Sequence, residues 1–156
     1  MIEIAIPGGD ILRLTAAVLD FNGTLAQDGR VLDGVAERLR SLAASLDIHV
    51  ATGNTHGNAH DALAELPVQV HIMPSEGQRE AKSRFLATFG AHQVVAIGNG
   101  FNDGNLIEQA ALSIAVLGGE GCSAQTLAAA DVVCANIRDA LDLLLMPKRL
   151  IATLRR

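Results

Sequence analysis

Short runs rich in valine and isoleucine alternate with longer alanine- and leucine-rich segments of helical period, and few folds accept that rhythm. The runs at 2–6, 11–14, 16–20, 48–52, 68–72, 94–98, 113–116 and 131–134 predict strands. Between them, 32–46, 55–65, 78–89, 102–111, 123–129 and 137–145 predict helices, with a last one after Pro147. Pro7-Gly8-Gly9-Asp10 separates the first two strands, which predicts an N-terminal β-hairpin. The βαβα succession beyond it predicts an α/β fold: a Rossmann-like three-layer sandwich with a mostly parallel central sheet. Right-handed crossovers bring the strand C-termini to one edge, where ligands of such sheets bind.

A length of 156 residues fits one domain with its own core. Apolar residues make up 49% of the chain, yet Glu108, Glu120 and Asp131 interrupt the richest stretch, so no run is fit to span a membrane. Residues 1–10 carry Glu3 and no basic region, unlike a signal peptide. A cytoplasmic location is expected, with no membrane partner. The net charge of −5 is spread in both signs, and the one basic cluster is Lys148, Arg149, Arg155 and Arg156 on an amphipathic terminal segment. Tyrosine and tryptophan are absent, which removes stacking platforms and disfavours nucleic acid as a partner. Cys122 and Cys134 lie near apolar segments and read as reduced thiols rather than a disulfide or metal pair.

Four places end a regular element in chemistry. Ala17-Val18-Leu19-Asp20 delivers a carboxylate at a strand end, followed by Phe21-Asn22-Gly23-Thr24. A carboxylate so placed can attack phosphorus and hold a metal, and backbone amides freed by Gly23 can cradle phosphate oxygens. Thr52-Gly53-Asn54 ends a second strand in a hydroxyl suited to a phosphate oxygen. Lys82, in an amphipathic helix, can neutralise nucleophile and phosphate as a point charge. Gly98-Asn99-Gly100-Phe101-Asn102-Asp103 ends a third strand and opens a helix; Asp20 with Asp103 supplies the few carboxylates that Mg²⁺ wants.

In this order the motifs resemble those of the haloacid dehalogenase-like hydrolases, a superfamily that includes the phosphorylation domain of P-type ATPases. Asp20-Phe21-Asn22-Gly23-Thr24 is similar to its DxDGT or DKTGT box, Thr52-Gly53-Asn54 to TGD, and Gly98–Asp103 to GDGxND. Ala129-Ala130-Asp131-Val132-Val133 is similar to a downstream segment of the P-type branch. The DxNGT and GNGxND variants resemble most closely a group of soluble P-type-ATPase-like phosphatases. The resemblance implies Asp20 as the phosphorylated nucleophile and a Mg²⁺ held by Asp20, the main-chain carbonyl of Asn22, and Asp103, with Asn99 on the metal side. It further implies Thr52, Gly53, Gly23 and Lys82 around the phosphate. The intervals between motifs are too short for the cap domains many members carry. An open site suits a macromolecular substrate or a neighbouring subunit that closes it, so a homo-oligomer is plausible.

Two positions depart from the commoner motifs. Asn22 stands where these phosphatases place an acid/base aspartate, and an amide cannot shuttle a proton. Asn99 replaces a metal-side carboxylate and lowers the site's negative charge. P-type ATPases carry threonine at the position of Asn22 and are still phosphorylated, so the expected consequence is slow hydrolysis. The leading expectation is a Mg²⁺-dependent phosphatase of unknown phosphorylated substrate; its rival is a regulatory module that binds phosphate and Mg²⁺ with little turnover. His56 and His60 sit four apart like a zinc-binding helix face, although solvent exposure explains them better. The run 118–121 reads as a flexible link rather than a nucleotide-binding turn, and Phe85 with Phe89 as one core-facing helical pair.

Overall fold

The strand Ala16–Leu19 is buried along its whole length, so its alternate side chains must find partners on both faces. The computed structural model describes residues 1–156. An antiparallel hairpin, β1 (Ile2–Ala5) and β2 (Ile11–Leu14), precedes that strand, which is β3. A second, very short hairpin follows: β4 (Ala26–Gln27) and β5 (Arg30–Val31), turned by Asp28 and Gly29 at φ 50° and 75°. Paired positive φ values mark the tight turn whose twist suits a two-residue hairpin loop. Beyond come β6 (Asp47–Thr52), β7 (Gln69–Ile72), β8 (Val94–Gly98), β9 (Leu112–Val116) and β10 (Val132–Cys134). With β3 they form one all-parallel sheet in the order β10-β9-β8-β3-β6-β7.

The helices are α1 (Val35–Leu42), α2 (Ala59–Leu63), α3 (Gln78–Ala87), α4 (Gly104–Gln109), α5 (Ala124–Ala129), α6 (Ile137–Leu145) and α7 (Pro147–Leu154). Strand periodicity divides the core between the two faces of the sheet. Leu19, Val50 and Ile97 join Leu39 of α1 and Ile137 and Leu141 of α6 in the larger cluster. Val18, Ala51 and Ala96 face Leu86 of α3 and Leu106 of α4. Alanines on that second face let α3 and its neighbours approach the sheet closely.

The chain runs from β3 to β6 on one side and from β8 to β9 on the other, so the loops after β3 and β8 part company. That divergence makes a crevice at their C-terminal ends. Several expected elements are shorter than the sequence suggested. α1 begins at Val35 because Gly34, at φ 84°, breaks the backbone before it. α2 begins only at Ala59, after Asn54 and Gly57 take left-handed conformations at φ 55° and 70°. No helix is long and apolar enough to cross a membrane.

Candidate active site

The crevice gathers side chains from each of the four sequence motifs. Asp20 leaves β3 with its N–H still donating to the carbonyl of Ile97 on β8 at 2.9 Å, which fixes the start of the turn. Lys82 reaches it from α3, donating from Nζ to Asp20 Oδ1 and to Asp103 Oδ1, each at 2.6 Å. The lysine has 0% exposure. Asp103 gives its other oxygen, Oδ2, to the N–H groups of Asn99 at 3.1 Å and Gly100 at 2.9 Å. Both oxygens of Asp103 are thus engaged, and the residue holds the loop after β8 in register with Lys82.

The position of Lys82 depends on how α3 sits. Phe85, one turn further along the helix, and Phe89, just past its end, pack against His49 of β6 and His71 of β7, with ring centroids 4.3 to 5.9 Å apart. The two imidazoles share a 3.2 Å hydrogen bond. Burial pushes both below the usual histidine value, helped by His71 in the case of His49, which disfavours charge inside the cluster. The expected pair does pack inward, but half-buried against two histidines and with Phe89 beyond the end of α3 rather than on its face.

Charge in the crevice is unbalanced: one ammonium serves two carboxylates. Burial, then Asp103, pushes the Asp20 carboxyl up to about 6 despite the lysine beside it. Burial alone would lower Lys82, but Asp20 and Asp103 outweigh it and hold the lysine above its usual value.

Thr52 is buried at the end of β6, and its oxygen accepts the N–H of Asn54 at 2.9 Å. Its hydroxyl proton is therefore free to be donated. Asn22 places its side-chain oxygen in a buried spot with no hydrogen-bond partner. Such an orphan acceptor costs stability unless a donor from outside arrives. Thr24, which the sequence reading did not single out, is fully buried and joins the motifs. Its hydroxyl lies 3.1 Å from Asn99 Oδ1 and 3.4 Å from Asp20 Oδ2.

The two glycines expected at the phosphate act differently. Gly23 donates its N–H to the carbonyl of Ala26 at 2.8 Å, so it is no free amide for an anion. What it supplies is room: a Cβ there would stand 2.4 Å from Asn99 Nδ2, and its φ of 80° suits only glycine. Gly53 likewise makes space, since a Cβ would meet the side-chain amide of Gln78 at 2.4 Å. Gln78 escaped the sequence reading because nothing in its neighbourhood marks it.

The glycine-rich run after β9 is a brace rather than a free link. Gly121 accepts Asn99 Nδ2 at 2.9 Å, Glu120 accepts the N–H of Asp28 at 3.2 Å, and Gly119 lies against Gln27. On its other side the β4–β5 flap is tied by Asn58, which donates to the Gly29 carbonyl at 2.8 Å. The two-histidine zinc face does not form, because His56 precedes α2 rather than lying on it. Nor does any group of three or more His, Cys, Asp or Glu stand ready for a metal. Cys122 and Cys134 are free thiols.

No family model matches the chain. An uncharacterized protein of Methanocaldococcus jannaschii is 49% identical over 63 residues, covering 40% of this chain and 68% of that protein, which puts the two in one family. Among solved structures, the cobalt-bound deoxy-D-mannose-octulosonate 8-phosphate phosphatase of Haemophilus influenzae superposes with a TM-score of 0.71 at 16% identity. That match covers 88% of this chain and 90% of the other. The corresponding enzyme of Moraxella catarrhalis, in complex with magnesium, phosphate and KDO, gives 0.71 at 18% identity over 90% and 92% of the two chains. A haloacid dehalogenase superfamily hydrolase of subfamily III A from Legionella pneumophila gives 0.72 at 18% over 91% and 87%. Likeness at this level of identity establishes the fold.

Proposed function

We propose that this chain, which has the haloacid dehalogenase-like hydrolase fold, is a Mg²⁺-dependent phosphohydrolase that works through an aspartyl-phosphate on Asp20. The observation that carries the reading is the Asp20–Lys82–Asp103 bridge at the C-terminal end of β3, with a free Thr52 hydroxyl beside it. A carboxylate oxygen of Asp20 attacks phosphorus as the ester P–O bond breaks, and the departing alkoxide takes its proton from solvent in the open crevice. Lys82 and Thr52 hold the phosphoryl oxygens while charge shifts onto them. Water then attacks the same phosphorus, the Asp20–phosphorus bond breaks, and inorganic phosphate leaves the regenerated carboxylate. The substrates named for the similar structures are phosphate esters, which supports the same reaction class here.

Asn22 has a specific part in this scheme. Its unpartnered carbonyl oxygen accepts a hydrogen bond from the attacking water, without taking the proton. Positioning without proton transfer gives a slow second step. The same amide favours a second reading, in which the site binds phosphate and Mg²⁺ for a regulatory purpose and turns over little.

The donors fit a hard cation. The carboxylates of Asp20 and Asp103, the main-chain carbonyl of Asn22 and the side-chain oxygen of Asn99 would present oxygen to it, Asp103 and Asn99 exchanging hydrogen bonds they hold in the metal-free protein. Burial, with Asp103 nearby, raises the Asp20 carboxyl, a strain on its charge that a cation would relieve. With two carboxylates present, Mg²⁺ there would keep several waters, and it would neutralise developing charge on the phosphoryl group. The segment after β3 contains only the flap and α1, and the segment between β6 and α3 only α2 and β7, so no cap domain covers the site. An open crevice of this kind is completed by its substrate or by a second copy of the chain, in the cytoplasm.

Phosphate release from an aryl phosphomonoester, with and without Mg²⁺ and with Asp20→Asn in parallel, tests the reading. Release that requires both the metal and Asp20 supports the hydrolase. Phosphate that binds, or labels the protein, without being released supports the regulatory alternative. Turnover that survives Asp20→Asn sinks the mechanism.

A further inference from the structure

Beside the crevice lies an open cleft of about 620 Å³ that the phosphoryl chemistry leaves unused. Its walls come from the start of α3 and from the turn Phe101–Asp103 after β8. Gln78 stands one helical turn before Lys82 on the same face of α3, about 5–6 Å away between Cβ atoms. Its amide lies against Gly53, the neighbour of Thr52, in space that any side chain at that position would fill. The cleft therefore adjoins the phosphate end of the site, where the rest of a phosphate ester has to go.

The lining has a definite chemistry. Asn102 Nδ2 donates to Gln78 Oε1 at 2.8 Å, locking two amides together. That leaves Gln78 Nε2 and Asn102 Oδ1 without partners in the protein: one donor group and one acceptor, side by side. A hydroxyl both donates and accepts, so adjacent hydroxyls match such a pair. Phe101 is 57% exposed, and the Arg79 guanidinium stacks over its ring, 4.7 Å from the centroid. Arg79 is itself held by Asn105 at 2.6 Å and lies 3.7 Å from Glu108, which fixes the ring's support. A large exposed aromatic held in place beside paired amides is a surface for the apolar face of a ring whose edge is polar.

Charge narrows the choice further. The lining carries one cation, Arg79, already engaged, and one anion, Glu80. No spare positive charge invites a second phosphate or a carboxylate.

We propose that the Phe101–Gln78–Asn102 cleft is the leaving-group subsite, and that it takes an uncharged, polyhydroxylated group: the substrate is a sugar monophosphate. The inference rests on the phosphohydrolase reading for the word substrate, but the binding it describes is separate from turnover. Phe101 packs the sugar ring, and the Gln78–Asn102 pair reads neighbouring hydroxyls. Hydrogen-bonding pockets of this kind reject analogues that lack the hydroxyls, because their own polar groups are then left unpaired.

Calorimetry on Asp20→Asn, which holds ligands without consuming them, separates the two ideas. The probes are inorganic phosphate, a panel of hexose and pentose monophosphates, hexyl phosphate and AMP, all with Mg²⁺. At least one sugar phosphate is expected to bind about tenfold or more tighter than both inorganic phosphate and hexyl phosphate, the worth of one or two hydrogen bonds. Adding Phe101→Ala or Gln78→Leu should erase that advantage. In the otherwise native enzyme, the same substitutions should lower kcat/KM for the sugar phosphate about tenfold more than for acetyl phosphate, through KM. Hexyl phosphate or AMP binding as well as every sugar phosphate overturns the proposal, as does an equal loss on acetyl phosphate. Sugar selectivity without any turnover of acetyl phosphate by the native protein would leave the subsite standing and remove the hydrolase.

Discussion

Two ion-pair assemblies in this molecule solve the same electrostatic problem in opposite ways. Between α1 and α6, Arg38 grips Asp142 with both arms, Nε to Oδ1 at 2.8 Å and Nη2 to Oδ2 at 3.1 Å. Glu37 stands 3.8 Å from the same guanidinium, and Arg149 and Arg138 add to the positive field at Asp142. The hydrogen bond from Arg38 holds the Asp142 carboxyl below its usual range, as a satisfied pair does. At the end of β3 a single buried lysine is divided between Asp20 and Asp103, and Asp20 is pushed up to about 6. A balanced pair on the surface joins two helices. An unbalanced, buried one stores a demand for positive charge, which a metal and a transition state can meet.

The most severe way to break the second assembly is Asp20→Asn. Turnover of a phosphomonoester should fall on the order of 10⁴-fold or more if Asp20 is the nucleophile, as proposed. Lys82→Met should cost about 10²–10³ in kcat, the scale of removing one electrostatic stabiliser. It should also move the acid limb of the rate profile upward, since the side chain that lowers Asp20 beside the metal is gone; an unmoved limb would mean that Asp20 does not set it.

The unbalanced triad was legible as residues and illegible as an arrangement. Asp20, Lys82 and Asp103 could each be named because strand ends followed by glycine turns are visible in a sequence. That both oxygens of Asp103 would be taken, by Lys82 and two backbone amides, depends on how α3 docks against β6 and β7. That docking runs through His49 and His71, whose polar side chains in apolar strands gave no sign of it. The sheet itself was readable because buried parallel strands write continuous apolar runs. The β4–β5 flap was not, as two-residue strands are too short for any period. Thr24 stood inside a recognised motif, yet its link between Asp20 and Asn99 exists only once the loops after β3 and β8 meet.

The metal-free protein offers a milder test. Asp20 has a folded value raised from 3.8 to about 6, so its contribution to stability is fully present below 3.8 and is lost as pH rises through about 6. A shift of about two pKa units corresponds to about 3 kcal/mol at most. Denaturant titrations in EDTA should therefore show the protein weakening across that window, and Asp20→Asn should flatten the curve. Mg²⁺ should restore stability above pH 6; if it does nothing there, the cation is not bound near Asp20. Smaller again, Asn22→Asp should raise turnover by about tenfold or more by restoring a proton shuttle, with general acid–base catalysis as the ceiling. A drop instead would indicate that one more carboxylate overloads a site already short of positive charge.

The least effect belongs to the balanced pair, and its sign is the opposite one. Asp142 has a lowered folded value, so its stabilisation exists above the ordinary 3.8 and is lost as pH falls through the folded value. Asp142→Asn should lower Tm by a few degrees at most at neutral pH, since the pair, though partly buried, is still reached and screened by solvent. The gap between mutant and native should close in strong acid, where the native pair is also discharged. Because α1 and α6 lie on the face of the sheet away from α3, kcat should not change. A loss of turnover in Asp142→Asn would mean that strain at the α1–α6 contact reaches Asp20 through β3, and the two assemblies could no longer be treated as independent. Opposite pH slopes from two aspartates in one small protein would trace to opposite balances: burial and a second carboxylate outweigh the lysine at Asp20, while the Arg38 hydrogen bond outweighs burial at Asp142.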